Sequence, residues 1–354
     1  MKRSWIAALA VSTTLIIAVI LHKREVIYNL ASGKALENAK WDSMLPREAF
    51  EEDENTQAQI INDTTNEAVQ HKSENTRRDP HFWHSSVSLY STLKQPSSLC
   101  TNNTFLFIAV ISQPSTQKHR QIYRETVLSP ITNQCLTDIK YAFVIGRVDN
   151  DEMQNRLDKE SEEHGDILQG NFTDSYENLT IKSIFLVRWT ALKCPQAKFL
   201  LKLDDDVFTI LDDVRYFFKH ETLASYSISG SVFKNAKPVR DPTNKWHAGD
   251  YTGTIYPTYV SGTAYIISSD LLKPISIVAM KVPFLRLEDI FITGLSAAAT
   301  NLSVQYYQVP GFSYVPRAIG AVDFHYTKSI HGVNSAQLKT LHNRLKRERI
   351  GSCV

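Results

Sequence analysis

Beyond Leu99 the chain alternates short apolar runs with helical patterns, and that alternation restricts the possible folds more than any other feature. The runs "TFLFIAVIS", "IKYAFVIG", "DILQ", "KFLLKLDDD", "YSISGSVF", "YVSGTAYIIS" and "LSVQYYQV" predict strands. Between them "STQKHRQIYRETVL", "DEMQNRLDKESEEHG", "SYENLTIKSIFLVRWTAL", "SDLLKPISIVAM" and "EDIFITGLSAAAT" predict helices, and a last helix falls over "SAQLKTLHNRLKRERI". Repeated βα units predict an α/β domain with a mostly parallel sheet and helices on both faces. A chain of 354 residues with 43% hydrophobic content has ample material for such a core.

Three segments precede that domain. An uncharged stretch from Trp5 to Leu21 is bounded by Lys2 and Arg3 before and Lys23 and Arg24 after. It falls just short of the about 20 residues a typical bilayer requires, and thinner membranes accept shorter spans. A cleaved signal peptide has an apolar core of about 7 to 15 residues and a small-residue cleavage site, which does not follow Leu21. The expected arrangement is a cytosolic tail over 1–4, a transmembrane signal anchor over 5–21, a lumenal stem over 22–98 and the α/β domain over 99–354. The stem is polar and acidic in patches ("EAFEEDENTQAQ"), too poor in apolar residues for a core of its own.

Asparagine acceptor triplets at Asn62, Asn102, Asn171, Asn178 and Asn301 agree with a lumenal chain. The net charge of +2 gives no sign of nucleic-acid binding. Cys100, Cys135, Cys194 and Cys353 show no CxxC spacing, which argues against a zinc ribbon or a thioredoxin-like motif. In an oxidising compartment they allow three full pairings.

At the end of one apolar run "KFLLKLDDDVFTIL" sets Asp204, Asp205 and Asp206 side by side. Three like charges repel and resist desolvation, so water, a basic side chain or a metal ion must compensate. Ligands of open α/β sheets gather outside the carboxyl ends of the strands, where these residues stand. If extension continues, Asp204 and Asp206 share one face and Asp205 takes the other. Two convergent carboxylates suit Mg2+ or Mn2+, whereas a helix N-terminus accounts for about one of the three.

Other candidates are weaker alone. Glu288 and Asp289 open an apolar helical stretch, where acids serve equally as caps or as a general base. Arg120 and Arg124 lie at i and i+4 on one helix face, a spacing that suits a diphosphate or a solvated basic surface. His325 and His331 flank "YTKSI" without any ligand set of their own. These residues fit nucleotide-sugar chemistry, and a metal-dependent phosphoesterase would meet the same list.

From about Phe105 to His331 the chain resembles the beta-1,3-galactosyltransferase-like family, glycosyltransferase family thirty-one. The blocks that carry the likeness are "HRQIYRET", "YAFVIG", "HGDILQGNFTDSYENLTIKS", "KCPQAKFLLKLDDDVF", "YPTYVSGTAYIIS", "LEDIFITG" and "SIHGV". The resemblance implies a GT-A fold, with a Rossmann-like mixed sheet flanked by helices. It also implies an inverting UDP-sugar-dependent hexosyltransferase that uses Mn2+ (Mg2+ as the alternative) and acts on a glycan of a glycoprotein or glycolipid from a type II position in the Golgi membrane.

Carried over by position, Asp204 to Asp206 look like the DxD-type motif. In that reading Asp206 is the principal metal ligand, Asp204 a second, and Asp204 and Asp205 also donor contacts. Asp289 looks like the catalytic base with Glu288 supporting substrate, and His331 like the histidine that completes the metal site. Arg120, Arg124 and Lys182 resemble donor-binding positions, and Gly262 the glycine that lets the chain approach the sugar. Val127 replaces a usual Trp and Thr209 a frequent Asn, departures that leave the catalytic set intact. A different class is a catalytically silent secretory-pathway chaperone or glycan-binding module on the same fold.

Overall fold

The computed structural model describes residues 91–97, 100–349 and 353, all within the unit Arg77–Val354. The expected tail, the anchor over 5–21, the stem up to residue 90 and Asn62 lie outside the described residues. Among the described residues no helix is long and apolar enough to cross a membrane.

The strand β2 (Leu106–Ile111) is buried along its whole length because both faces of the sheet are covered. Its residues alternate between two core layers, Phe107, Ala109 and Ile111 entering one and Leu106, Ile108 and Val110 the other. On the first face lie the helices Leu179–Lys193 and Ser269–Val278 with the π-helical segment Ile290–Ser296. On the second lie Gln117–Glu125, Leu211–His220 and Ser335–Glu348. Helices on both faces are therefore as the alternation predicts.

β2 pairs in parallel with β3 (Ile139–Arg147) and β5 (Phe199–Asp204), and β3 with β4 (Ile167–Thr173). Beyond β5 one strand is reversed: β8 (Tyr259–Ser268) runs antiparallel to both β5 and β7 (Ser227–Phe233), and β7 resumes the direction of β5. The connection from β7 to β8 contains no helix, and antiparallel neighbours need no helical crossover. With β1 (Thr92–Lys94) and β8 reversed and the other six strands running one way, the sheet is mostly parallel, as the alternation predicts, and mixed, as the resemblance implies; its order is β1-β4-β3-β2-β5-β8-β7-β9 with β9 at Gln305–Gln308. Its edge strand β1 pairs antiparallel with β4.

A second, three-stranded sheet joins β10 (Phe312–Ser313), β11 (Ser329–His331) and β6 (Val207–Thr209). Two disulfides, Cys100–Cys194 and Cys135–Cys353, select one of the three possible pairings.

Candidate active site

β5 ends at Asp204, and the two following residues form a turn before β6. The alternation expected to send Asp205 to the opposite face stops there, so all three carboxylates line one cleft of about 840 Å³ at the carboxyl ends of the parallel strands. Asp205 Oδ2 accepts the Ser112 hydroxyl at 2.8 Å, and its carbonyl accepts His119 Nε2–H at 2.6 Å. His119 Nδ1 is then free to accept the Ser335 hydroxyl at 2.7 Å, which fixes its tautomer. Sequence reading missed His119.

The small sheet delivers His331. Antiparallel pairing of β11 with β6 sets His331 opposite Val207, and Val333 N–H donates to the Asp206 carbonyl at 2.8 Å. Gly332 turns the chain away at φ 77°, a backbone state open to glycine without strain. His331 Nε2 consequently stands 3.3 Å from Asp206 Oδ2, while its Nδ1–H donates to the Tyr314 carbonyl at 3.1 Å. A carbonyl can only accept, so the neutral ring keeps its lone pair on Nε2, towards Asp206. The hydrogen bond to Asp206 is the chief reason that the imidazole titrates above its ordinary value.

Asp206 Oδ1 is buried and makes no hydrogen bond among the described residues. An orphaned carboxylate oxygen beside an imidazole lone pair is a donor set that fits Mn2+ or Mg2+. Among the described residues no group of three or more His, Cys, Asp or Glu is gathered to hold a metal. A cation here would take most of its ligands from elsewhere, as Mg2+-type sites do with phosphate and water.

Asp204, expected as a second metal ligand and donor contact, is held by a buried cation. Its Oδ1 is 2.6 Å from the ammonium of Lys202, a fully buried residue two positions earlier on β5. The same Nζ lies 3.6 Å from Glu288 Oε2 and donates to the Gly262 carbonyl. Burial penalises this ammonium, but Asp204 and Glu288 outweigh it and raise its pKa. Burial likewise pushes Asp204 up to about 6, against the pull of Lys202. Tyr265, opposite Lys202 in the β5–β8 ladder, donates its hydroxyl to Glu288 Oε1 at 2.6 Å. Neither Lys202 nor Tyr265 was singled out from sequence, although a lysine inside a buried apolar run, on the face of Asp204, was a signal.

Asp289 caps the π-helical segment, a rare helix form found often at functional sites. Its Oδ2 accepts Gly262 N–H at 3.0 Å and its Oδ1 accepts Ile290 N–H at 2.9 Å. Burial and then the charge of Glu288 push its carboxyl up to about 6. Gly262 is needed for this approach, since a Cβ there would stand 3.2 Å from both Asp289 Cβ and Glu288 Oε2.

The structure does not bring the guanidinium groups of Arg120 and Arg124 to the cleft. Both are buried, Arg120 on Glu160 at 2.5 Å and Arg124 on Glu160 at 2.8 Å and Asp166 at 2.7 Å. Nε and Nη2 of each fork are held by these carboxylates, Arg120 Nη1 turns to Ser112 and Gln113, and Arg124 Nη1 is buried without a hydrogen-bond partner among the described residues. Neither guanidinium is therefore presented to a diphosphate in the cleft, contrary to expectation. Arg120 also donates to the Gln113 carbonyl and so braces a loop of the cleft wall. Lys182 does line the cleft, with Nζ 2.8 Å from Asp174 Oδ2 and 2.9 Å from the Ser112 carbonyl. Among the described residues His325 makes no hydrogen bond or ion pair with this group, and its backbone N–H donates to Asp323 Oδ1 at 2.9 Å.

The galactosyltransferase family profile matches residues 118–309, a span that contains the aspartate row, Gly262, Glu288 and Asp289 and ends before His331. Beta-1,3-galactosyltransferase 5 of Pan paniscus is 31% identical over 216 residues, covering 60% of this chain and 71% of the relative. Beta-1,3-galactosyltransferase 1 of Mus musculus is 27% identical over 264 residues, covering 74% of this chain and 80% of the relative. Among solved structures, a glycosyltransferase involved in the glycosylation of the major capsid of PBCV-1 covers 68% of this chain and 99% of its own at 11% identity. Its TM-score of 0.38 is too remote to add to the strand order. With its profile over more than half of the sequence, and with its acidic residues gathered at one cleft and one buried lysine, the chain belongs to the galactosyltransferase family, glycosyltransferase family thirty-one.

Proposed function

We propose that the protein is an inverting hexosyltransferase that moves galactose or an N-acetylhexosamine from a UDP-sugar to a hydroxyl of a glycan acceptor, forming a beta-1,3 linkage. One observation carries this reading: a single buried ammonium, Lys202, joins the aspartate row of the cleft to the Glu288–Asp289 pair. A donor-binding wall and a held carboxylate are thereby parts of one polar network.

The reaction asks three things of the chain. Asp289, oriented by two backbone N–H groups, takes the proton from the acceptor hydroxyl. The freed oxygen pair forms a bond to the anomeric carbon as the bond to the diphosphate oxygen breaks, and that electron pair leaves with UDP. The cleft wall of Asp205, Ser112 and Lys182 holds the nucleotide end in line for this attack. A divalent cation, Mn2+ or Mg2+, held by Asp206 and His331 would neutralise charge on the departing diphosphate. Asp204, tied to Lys202, keeps this wall rigid rather than serving as a primary ligand.

The family membership favours sugar transfer over phosphate hydrolysis, and two disulfides suit an oxidising lumen, in keeping with a Golgi membrane setting. The test is UDP release and product formation by the full-length protein across a panel of UDP-sugars and glycan acceptors with Mn2+. Product with an inverted anomeric centre by NMR supports the reading. Phosphate release without transfer would favour the phosphoesterase, and no turnover on any pair would favour a binding module.

A further inference from the structure

Between His331 and Asp289 runs a row of aromatic rings for which the reaction above has no use. Tyr314 meets Phe233 edge-on at 4.9 Å, Phe233 stacks on Tyr259 at 5.2 Å with 12° between planes, and Tyr259 meets Tyr256 at 6.2 Å. Both ends are tied to groups of the site. The Tyr314 carbonyl accepts His331 Nδ1–H, and the residue before it, Ser313, pairs with Ile330. At the other end Val260, next to Tyr259, donates its N–H to Thr293 Oγ1 at 2.9 Å, and that hydroxyl donates to the Asp289 carbonyl at 2.6 Å.

Rings that serve only the core are covered, as Phe107 and Phe143 are here. Tyr314 instead leaves 46% of its surface open, and Phe233 and Tyr259 are partly buried. Burial and then the Asp289 charge hold the Tyr259 phenol above its ordinary value, which places that ring within the field of the carboxylate. The Tyr256 hydroxyl behind it is buried and makes no hydrogen bond among the described residues. The open rings are thus continuous with the proposed reacting groups.

We propose that Tyr314, Phe233 and Tyr259 form the acceptor platform, taking the apolar C–H face of the terminal pyranose of the acceptor glycan. This rests on the glycosyl-transfer reading. A pyranose presents hydroxyls at its rim and C–H groups on its faces, so the half-open Tyr314 ring, backed by the stacked Phe233 and Tyr259, can cover such a face without stripping water from polar groups. The rim hydroxyl is then directed to Asp289.

The experiment uses the full-length protein with lactose, a soluble glycan ending in a pyranose, and the variants Tyr314→Ala and Tyr314→Phe. Tyr314→Ala should raise the acceptor KM about tenfold with kcat within about twofold, and Tyr314→Phe should restore it. Unchanged acceptor KM in Tyr314→Ala would overturn the platform, as would a loss confined to protein-borne acceptors, which would mark a protein-docking surface. Saturation-transfer NMR of lactose on the same proteins separates the two readings. Ring-dependent lactose binding without transfer would sustain the platform and sink the transferase, and transfer with ring-independent binding would do the reverse.

Discussion

Lys202 stands two residues before Asp204 on β5, and its Nζ lies 2.6 Å from Asp204 Oδ1. Strand side chains repeat every two residues, so both point to one face, the one that also receives Glu288 and Tyr265. The compensation that three adjacent carboxylates require is therefore shared: Lys202 for Asp204, the Ser112 hydroxyl for Asp205 and His331 for Asp206.

Replacing Lys202 by Met keeps the length of the side chain and removes its charge. Asp204 and Glu288 would then face each other across a buried space without a cation, a loss of about 3 kcal/mol for breaking such a pair. The urea midpoint of Lys202→Met should fall accordingly, and transfer should drop about 100-fold as the two acids separate. A wild-type midpoint would show that the ammonium contributes nothing to holding them.

Gly262→Ala tests the close approach from the other side. The added methyl stands 3.2 Å from Asp289 Cβ and from Glu288 Oε2, so the carboxylates must give way by a few tenths of an ångström. Because Gly262 N–H itself holds Asp289, the shift loosens the base. Turnover should fall about tenfold or more while the melting temperature moves by only about 2 °C, measured side by side on one preparation.

The sequence makes some of this legible and hides the rest for physical reasons. Apolar runs such as β2 and β8 declare themselves by their unbroken apolar character, and the terminal helix Ser335–Glu348 by its period. β6, β10 and β11 have two or three residues each, too few for any period, yet they carry His331 to Asp206. The i, i+4 spacing of Arg120 and Arg124 does put both on one face, since both reach Glu160. Which groups meet that face depends on a helix 36 to 40 residues away in the chain, and local spacing cannot show it. The helix Leu211–His220 went unread, although Asp212 and Asp213 in its first turn and Lys219 and His220 in its last follow the dipole.

The disulfides should dominate stability under oxidising conditions. Cys100–Cys194 closes a separation of 94 residues and Cys135–Cys353 one of 218. Loops of this size correspond to about 5 kcal/mol per bridge on the chain-entropy estimate. Cys135→Ser should therefore lower the melting temperature by several degrees, and mass spectrometry of unreduced peptides should show the two pairs without exchange. A peptide linking Cys100 to Cys135 would contradict the fold.

The pH profile follows from Asp289. Burial and Glu288 push its carboxyl up to about 6, although Ile290 N–H, Gly262 N–H and Lys202 pull the other way. Only the carboxylate can accept the proton of the acceptor hydroxyl, so a raised pKa means that activity is complete above this value and is lost as the pH falls through it. Below about pH 6, kcat/KM should drop close to tenfold per unit. His331 titrates in the same sense, since protonation fills the Nε2 lone pair, and saturating Mn2+ should suppress that contribution by competing with the proton. Glu288→Gln removes the neighbouring negative charge while keeping an oxygen for the Tyr265 hydroxyl, so the residual activity should show its acid limb moved to lower pH. Profiles of wild type and Glu288→Gln at saturating donor and Mn2+ decide the matter: an unmoved limb in the variant, or a flat wild-type rate between about pH 5 and 7, would remove Asp289 from the role of base.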